Sequence, residues 1–369
     1  MSGARAFALA VAVVLGSALT SAPARADDPL LGKPRFFYDG FDYGSQSLFG
    51  PGFVFLNRGY DVFQLRPANR NPFRQNYALD GGNVLDNVAH PFAAIESRGW
   101  GRFAREELLP LSWTTESARW APNYGLHLIG GGVTYRMLSE WFDHNGVPAP
   151  GAFSALTMYA AALVNESLEN KRFVGPNTDC LADLYVFDLA GILFFSIDPV
   201  ARFFSRSVIV ADWSLQPVIT VPSGALHNQG NYYGVKLPVP FYERLRLFGY
   251  MGFSTMGGLS YKLTPELSIS AAGGGRITSL ENSSQTTLEN QVRARPSVAF
   301  FVDRNDSLLA SLQVSDVADY FVHLNVYPNA IIRTKPGIGF FGVVSRDGHL
   351  MGGLSMTGTL GLGVGAGGP

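Results

Sequence analysis

The sequence has few charged residues, a single cysteine and, after its first 26 residues, no long apolar run. Charged residues make up 15% of its 369 residues, against roughly 25% in an average soluble protein. Cys180 is the only cysteine, which excludes an intramolecular disulfide and a cysteine-rich zinc site. Because the net charge is −1 and there is no basic run, the composition argues against nucleic acid as a partner. The lack of an apolar run of about 18 residues argues against membrane-spanning helices.

What is present favours an exported envelope protein in contact with lipid. The chain contains 42 glycines and 13% aromatic residues, and its mean hydropathy is +0.11. Residues 1–26 have the three parts of a signal peptide. These are Arg5, an apolar run over 6–19, and the small residues of Ala24-Arg25-Ala26. We therefore expect cleavage before Asp27.

Three regions follow the predicted signal peptide. Residues 27–82 are aromatic and rich in glycine, and a β-hairpin is a possible structure for them. Residues 83–205 are apolar, with interruptions at proline and glycine, and this pattern predicts a block of four or five helices that acts as a plug or a periplasmic cap. Residues 206–369 alternate apolar and polar side chains, which is the pattern of β-strands.

The alternation predicts an α+β chain in which the helical block precedes an antiparallel, up-and-down β-barrel of 8–10 strands. Tyr320, Val322, Leu324 and Val326, for example, alternate with polar residues such as His323. The polar faces carry Ser, Thr and Gly rather than dense Lys and Glu, which favours an outer-membrane barrel over a soluble β-sandwich. The segments 245–263 and 308–327 are each about twice the length of a membrane-crossing strand. Each is therefore either one long protruding strand or a hairpin, with turns at Gly257-Gly258 and at 316–319.

The candidate chemistry lies on the apolar helices. Glu166 and Glu169 share one helix face because they are three residues apart. His127 and Asp183 are of the right types to join them in a buried acid-base or metal-binding cluster. The alternative is a structural role, in which these groups cap helix ends and form ion pairs. Both interpretations remain open from the sequence alone, and we predict no metal.

Two further features are candidates for ligand binding. The glycines Gly130, Gly131 and Gly132 destabilise a helix, so something must approach that backbone closely, either a neighbouring element or a lipid chain. His323 is expected to point into the barrel, where a bond to Asn325 is a simpler role than catalysis. No phosphate-binding loop or other cofactor motif occurs, and we expect no cofactor.

Three short motifs resemble an uncharacterised family of Gram-negative envelope proteins. They are DNVAHPF at 86–92, the Glu166-x-x-Glu169 pair and DLYVFDLAG at 183–191. The resemblance implies that His90, Glu166, Glu169, Asp183 and Gly191 are the counterparts of residues that recur in that family. It implies no activity.

Two functional classes follow. The first is an integral outer-membrane protein with a structural or lipid-binding role, whose partners are outer-membrane lipids and the outer-membrane assembly machinery. The second is a membrane-embedded enzyme that modifies lipid or lipopolysaccharide through the His, Glu and Asp cluster.

Overall fold

The computed structural model describes residues 34–65, 69–110, 121–282, 290–358 and 360–368. The predicted signal peptide lies outside these residues. Helices occupy the first part of the described chain and a large, mostly antiparallel sheet occupies the second. The predicted α+β class is therefore confirmed.

The helical block contains both α-helices and π-helical segments. Several of its α-helices have proline in the first turn, at Pro51, Pro91 and Pro150, where the missing N–H group costs no hydrogen bond. The described part of the block has four π-helical segments: Ala104–Leu108, Ala121–Gly130, Asp183–Phe187 and Phe203–Ser207. The helices are α1 (Pro51–Gly59), α2 (Tyr77–Ala89), α3 (Pro91–Arg98), α4 (Trp100–Phe103), α5 (Gly131–His144), α6 (Pro150–Glu169), α7 (Asp179–Ala182), α8 (Asp188–Phe195) and α9 (Asp198–Arg202).

The N-terminal region is helical where the sequence suggested a possible hairpin. Short 3-10 turns at Ser45–Leu48 and Asp61–Leu65 flank α1. The aromatic side chains here are buried against helices as well as strands, because Phe53 belongs to the main core while Phe55 packs with Ala161 and Val164 of α6. Tertiary packing therefore decides the local structure.

The described part of the sheet contains thirteen strands. Strands β4 to β13 form a meander in which each strand pairs antiparallel with the next. The strands are β1 (Val210–Asp212), β2 (Val218–Thr220), β3 (Ala225–His227), β4 (Tyr233–Val239), β5 (Tyr242–Met251), β6 (Ser254–Lys262), β7 (Leu267–Asn282), β8 (Asn290–Arg304), β9 (Ser307–Ser315), β10 (Val322–Val326), β11 (Ile338–Val344), β12 (Leu350–Met356) and β13 (Gly363–Gly367).

One continuous stretch, residues 210–221, contacts both ends of this meander, and we call it the seam segment. Its first part, β1, pairs antiparallel with β4, and Leu215 N donates to Gly230 O at 3.0 Å. Its second part, β2, pairs in parallel with β13, and Val221 N donates to Gly365 O at 3.1 Å. The first and last strands of the meander are therefore connected through the same few residues.

The two faces of the sheet have opposite polarity. The face that contacts the interior carries buried polar groups, among them Lys236, Gln313, His323, Asn325 and Ser355. The other face carries half-exposed apolar side chains. These include Leu247 on β5, Leu259 on β6, Val298 and Phe300 on β8, Leu354 on β12 and Val364 on β13.

The turns differ in part from the sequence expectation. The hairpin between β5 and β6 turns at 252–253, where Gly252 has φ +159°, whereas the expected site Gly257-Gly258 lies within β6. Gly258 is needed for another reason, since a Cβ there would lie 1.9 Å from Ala271 O on β7. The turn between β9 and β10 does fall at 316–321.

Among the described residues, no single helix is both long enough and apolar enough to cross a membrane. One pair, Asp179–Phe195 with Asp198–Ser207, passes the same test only jointly and is bent by 87°.

Candidate functional site

The π-helical segment Ala121–Gly130 brings His127 against the segment that contains Asp183 and Asp188. Gly191 permits this approach, because a Cβ at that position would lie 2.7 Å from Leu128 O and 3.3 Å from His127 O. The absence of a side chain lets the two helix backbones pack closely. His127 therefore reaches carboxylates on the neighbouring helix.

Four side chains form a continuous row of polar contacts, which we call the charged row. Arg58 Nη2 lies 2.5 Å from Asp188 Oδ1, and His127 Nδ1 lies 3.2 Å from the same oxygen. On the other side, His127 Nε2 lies 3.7 Å from Asp183 Oδ2. The exposed fraction of the side chain is 19% for His127, 10% for Asp183, 5% for Asp188 and 8% for Arg58. The row is thus mostly buried, and solvent reaches it at His127.

The pKa values of the two carboxyl groups of the row are shifted in opposite directions. Burial alone would raise the pKa of Asp188, but the Arg58 and His127 charges outweigh it and hold that pKa below its usual value. Burial and the nearby carboxyl of Glu166 instead raise the pKa of Asp183 well above its usual range. The surroundings therefore favour the charged form of Asp188 and the protonated form of Asp183.

Glu166 and Glu169 lie behind the row on α6. Burial and the Glu169 charge raise the pKa of Glu166 well above its usual range, and burial with the Asp179 charge raises that of Glu169. Asn165 Nδ2 donates to Glu169 Oε1 at 2.8 Å. Within the described chain, neither glutamate hydrogen-bonds to His127, so their influence on the row is electrostatic.

Two buried atoms of the row have no hydrogen-bond partner in the described part of the chain. They are Asp183 Oδ1 and Arg58 Nε. Buried polar atoms are usually paired, so each such atom requires an explanation. Asp183 Oδ1 belongs to the carboxyl group that faces His127 Nε2.

The row does not have the composition of a metal centre. No group of three or more His, Cys, Asp or Glu side chains suited to a metal ion occurs among the described residues. The side chains in contact instead alternate between basic and acidic types, from Arg58 through Asp188 to His127 and Asp183. This arrangement suits proton transfer and ion pairing.

The three consecutive glycines contact protein on all sides. Cβ atoms built at these positions would lie 2.4 Å from the Tyr233 ring for Gly130, 3.3 Å from the Arg58 guanidinium for Gly131 and 2.1 Å from the Phe195 ring for Gly132. The close approach thus involves β4, α1 and α8 rather than a groove for a lipid chain. Gly131 leaves room for Arg58 to reach Asp188.

The other two histidines considered above lie outside the charged row. His90 is exposed at the junction of α2 and α3, and its Nδ1 lies 3.3 Å from Asp86 Oδ1. His323 is buried in the sheet, where its Nε2 lies 2.7 Å from Asn228 Oδ1 and 2.9 Å from Asn325 Nδ2. The structure brings together His127 and Asp183 with the two glutamates nearby, and it separates them from His90 and His323.

Sequence reasoning did not select Arg58 and Asp188 as site residues. Arg58 lies in the aromatic stretch that suggested a hairpin, and Asp188 is one of three acids in an apolar segment. The available signal was a charged residue inside an apolar helical run, since such a residue needs a buried partner of opposite charge.

Two cavities lie outside the row. A cavity of about 320 Å³ is lined in part by Phe41, Trp141 and Lys335, and one of about 480 Å³ in part by Arg136 and Glu140. In the second, the charged groups already have partners, because Glu140 accepts hydrogen bonds from Arg136 and from the backbone N–H groups of residues 36–38.

Comparison with known proteins gives no relative: no family model, no curated protein and no solved structure matches this chain. The resemblance to a Gram-negative envelope family is therefore wrong. Its His90-Pro91 motif has a local explanation, because His90 precedes α3 and Pro91 occupies the first position of that helix. Proline is common at that position in unrelated helices.

Proposed function

We propose that the chain is an exported, integral β-barrel protein of a Gram-negative outer membrane. The observation that carries this proposal is the reversed polarity of the sheet. Phe300 on the outer face is 56% exposed, whereas Lys236 on the inner face is 1% exposed. A sheet surface in water carries mostly polar and charged side chains, whereas a sheet surface in contact with lipid carries apolar side chains such as that of Phe300.

Closure of the sheet into a barrel is supported by the seam segment. In a flat sheet with this strand order, β1 and β2 would be eleven strand spacings apart, which is about 53 Å at about 4.8 Å per spacing. The residues that link β1 to β2 span at most about 20 Å even when extended. The sheet must therefore curl, and a curled sheet has no long unpaired edge in the membrane.

Large side chains fill the interior, which favours a plugged barrel over a pore. Trp213 of the seam segment packs against Phe248 and Phe301, and Tyr232 stacks on Tyr250 with ring centroids 4.8 Å apart. Polar groups complete the filling, as Lys236 Nζ donates to Asp303 and to Asp306, each at 2.7 Å. A structural or lipid-binding role fits this interior better than transport of solutes.

The helical block covers the seam. Tyr233 lies on the same face of β4 as the exposed Leu237, yet it is buried, because Thr134 of α5 contacts its hydroxyl at 2.7 Å and Gly130 packs against its ring. On the other side of the seam, Leu226 of β3 packs in one cluster with Phe55 and Ala161. We propose that the helices protect the weakest part of the barrel wall. The protein would enter the membrane through the outer-membrane assembly machinery.

The test is fractionation of the full chain expressed in a Gram-negative bacterium. We expect the protein in the outer membrane after carbonate washing, and we expect boiling to slow its migration on a gel, because a closed barrel resists the detergent until heated. Recovery in the soluble periplasmic fraction, with identical migration before and after boiling, would contradict the proposal.

A further inference from the structure

In the charged row, His127 lies between the carboxyl groups of Asp188 and Asp183. The ion pair between Arg58 and Asp188 alone would not require this arrangement. Asp188 Oδ1 lies 3.2 Å from His127 Nδ1, and Arg58 Nη2 contacts the same oxygen. A carboxylate at Nδ1 fixes the ring and leaves Nε2 as the nitrogen that exchanges protons. That nitrogen faces Asp183, whose Oδ1 is buried and has no partner in the described chain.

The helical segment that carries Asp183 and Asp188 also has exposed apolar side chains. They are those of Val186, Leu189 and Leu193, and the side chain of Leu193 is 62% exposed. His127 is the member of the row that solvent reaches most readily. A molecule with an apolar body and a polar group would fit here, with its apolar part on these side chains and its polar group at His127.

We propose that the charged row is a hydrolytic site for carboxylic esters of lipids, with His127 as general base and Asp183 as general acid. Asp188 and Arg58 are positioning residues, because they touch His127 or its partner rather than the substrate. The lipid source of the substrate rests on the proposed membrane location, whereas the acid-base chemistry does not.

In this reaction, unprotonated His127 Nε2 takes a proton from a water molecule, and the water oxygen forms a bond to the ester carbonyl carbon. The tetrahedral intermediate then collapses, the bond from carbon to the alcohol oxygen breaks, and the alcohol leaves with the proton of Asp183. The protonated His127 returns a proton to Asp183. One ester and one water thus become one carboxylic acid and one alcohol, and the site is restored.

The test uses the purified full chain in detergent micelles with p-nitrophenyl octanoate, and measures release of nitrophenol. We expect turnover by the wild type and a loss of about 100-fold or more in His127→Asn and in Asp183→Asn. His90→Asn is the matched control and should retain the wild-type rate, since His90 is exposed and outside the row. A wild-type rate no higher than that of His127→Asn, or an unchanged rate in Asp183→Asn, would overturn the proposal.

Folding of each variant is checked by urea denaturation of the purified protein in detergent, so loss of structure is distinguished from loss of chemistry without reliance on a closed barrel. Asp188→Asn supplies the test of positioning. We expect a fall in kcat of about 10-fold or more with little change in KM, and a changed pH profile, because an amide can stabilise the wrong tautomer of His127. A wild-type pH profile in this variant would overturn the assigned role of Asp188. Because the ester is presented in micelles, this assay can succeed or fail independently of membrane location.

Discussion

The helical block and the sheet solve the problem of buried charge in different ways. In the sheet, Lys236 is enclosed by Asp303 and Asp306 and lies over the ring of Trp213. In the helical block, Arg58 pairs with Asp188, while Asp183 and Glu166 are buried nearby with pKa values that burial raises. The comparison teaches that the buried cation of the sheet is matched by the acids around it, whereas the helical block buries more acids than cations around His127.

The largest expected effect comes from removing either buried cation. Arg58→Met leaves Asp188 without its main partner, and Lys236→Met does the same to Asp303. Each should lower the free energy of unfolding by about 3–5 kcal/mol, measured by urea denaturation in detergent, because an uncompensated charge remains buried. If Arg58→Met were neutral while Lys236→Met was harmful, the helical pair would not be a structural ion pair.

The next largest effect is the difference in cost between an arginine on the outer face of the sheet and an arginine in one of its turns. Phe300→Arg, near the middle of β8, should cost about 2–4 kcal/mol, since a charge at the centre of a bilayer is poorly solvated. The matched control is Phe241→Arg in the fully exposed turn between β4 and β5, which should cost about 0–1 kcal/mol. Refolding into vesicles followed by urea titration measures both. Equal costs would mean that the outer face does not contact lipid.

Packing at the glycines of the helical block gives a smaller effect. Gly132→Ala places a methyl group against the Phe195 ring and should cost about 1–3 kcal/mol, because α5 or α8 must shift. Gly82→Ala on α2 is the control, since nothing lies within 4 Å of its Cβ position. This change should stabilise the protein by about 1 kcal/mol through helix propensity. Thermal unfolding distinguishes the two, and the close packing would be refuted by equal shifts.

The pH dependence of stability should come mainly from the buried acids. The pKa of Glu166 is raised by burial and by Glu169, so the folded state binds its proton more tightly than the unfolded state does. The stabilisation that this bound proton provides is fully present below the usual carboxyl pKa of about 4.3. It is lost as the pH rises through the pKa of Glu166 in the folded state.

Glu166→Gln should therefore reduce the decline in unfolding free energy above about pH 4, and the variant should be more stable than the wild type at pH 8. Asp183 and Glu169 contribute in the same direction and Asp188 in the opposite one. The exposed Glu96→Gln is the control and should leave the slope unchanged. If the slope of unfolding free energy against pH were the same in Glu166→Gln and in the wild type, Glu166 would not be a source of the pH dependence.

The sequence predicted the sheet better than the helical block because strand alternation is a local signal. The opposite faces of residues such as His323 and Leu324 can be identified from a period of two. The seam could not be predicted, since the pairing of β2 with β13 joins residues far apart in the chain. The site shows the same limit. His127 and Asp183 are visible as polar residues in apolar helices, but their contact depends on Gly191 and on the course of two separate helices.

The central claim, that the outer face of the sheet contacts lipid, can be tested by one fluorescence measurement. Cys180 is the only cysteine and is buried, so a Cys180→Ser background accepts single labels at Leu247→Cys, Phe300→Cys and Leu354→Cys, with Asp86→Cys on the surface of α2 as the reference. In phosphatidylcholine vesicles, the account predicts quenching of the three sheet labels by nitroxide lipids and not by aqueous iodide, and the reverse for the label at Asp86. Quenching of the sheet labels by iodide to the same extent as the label at Asp86 would contradict it.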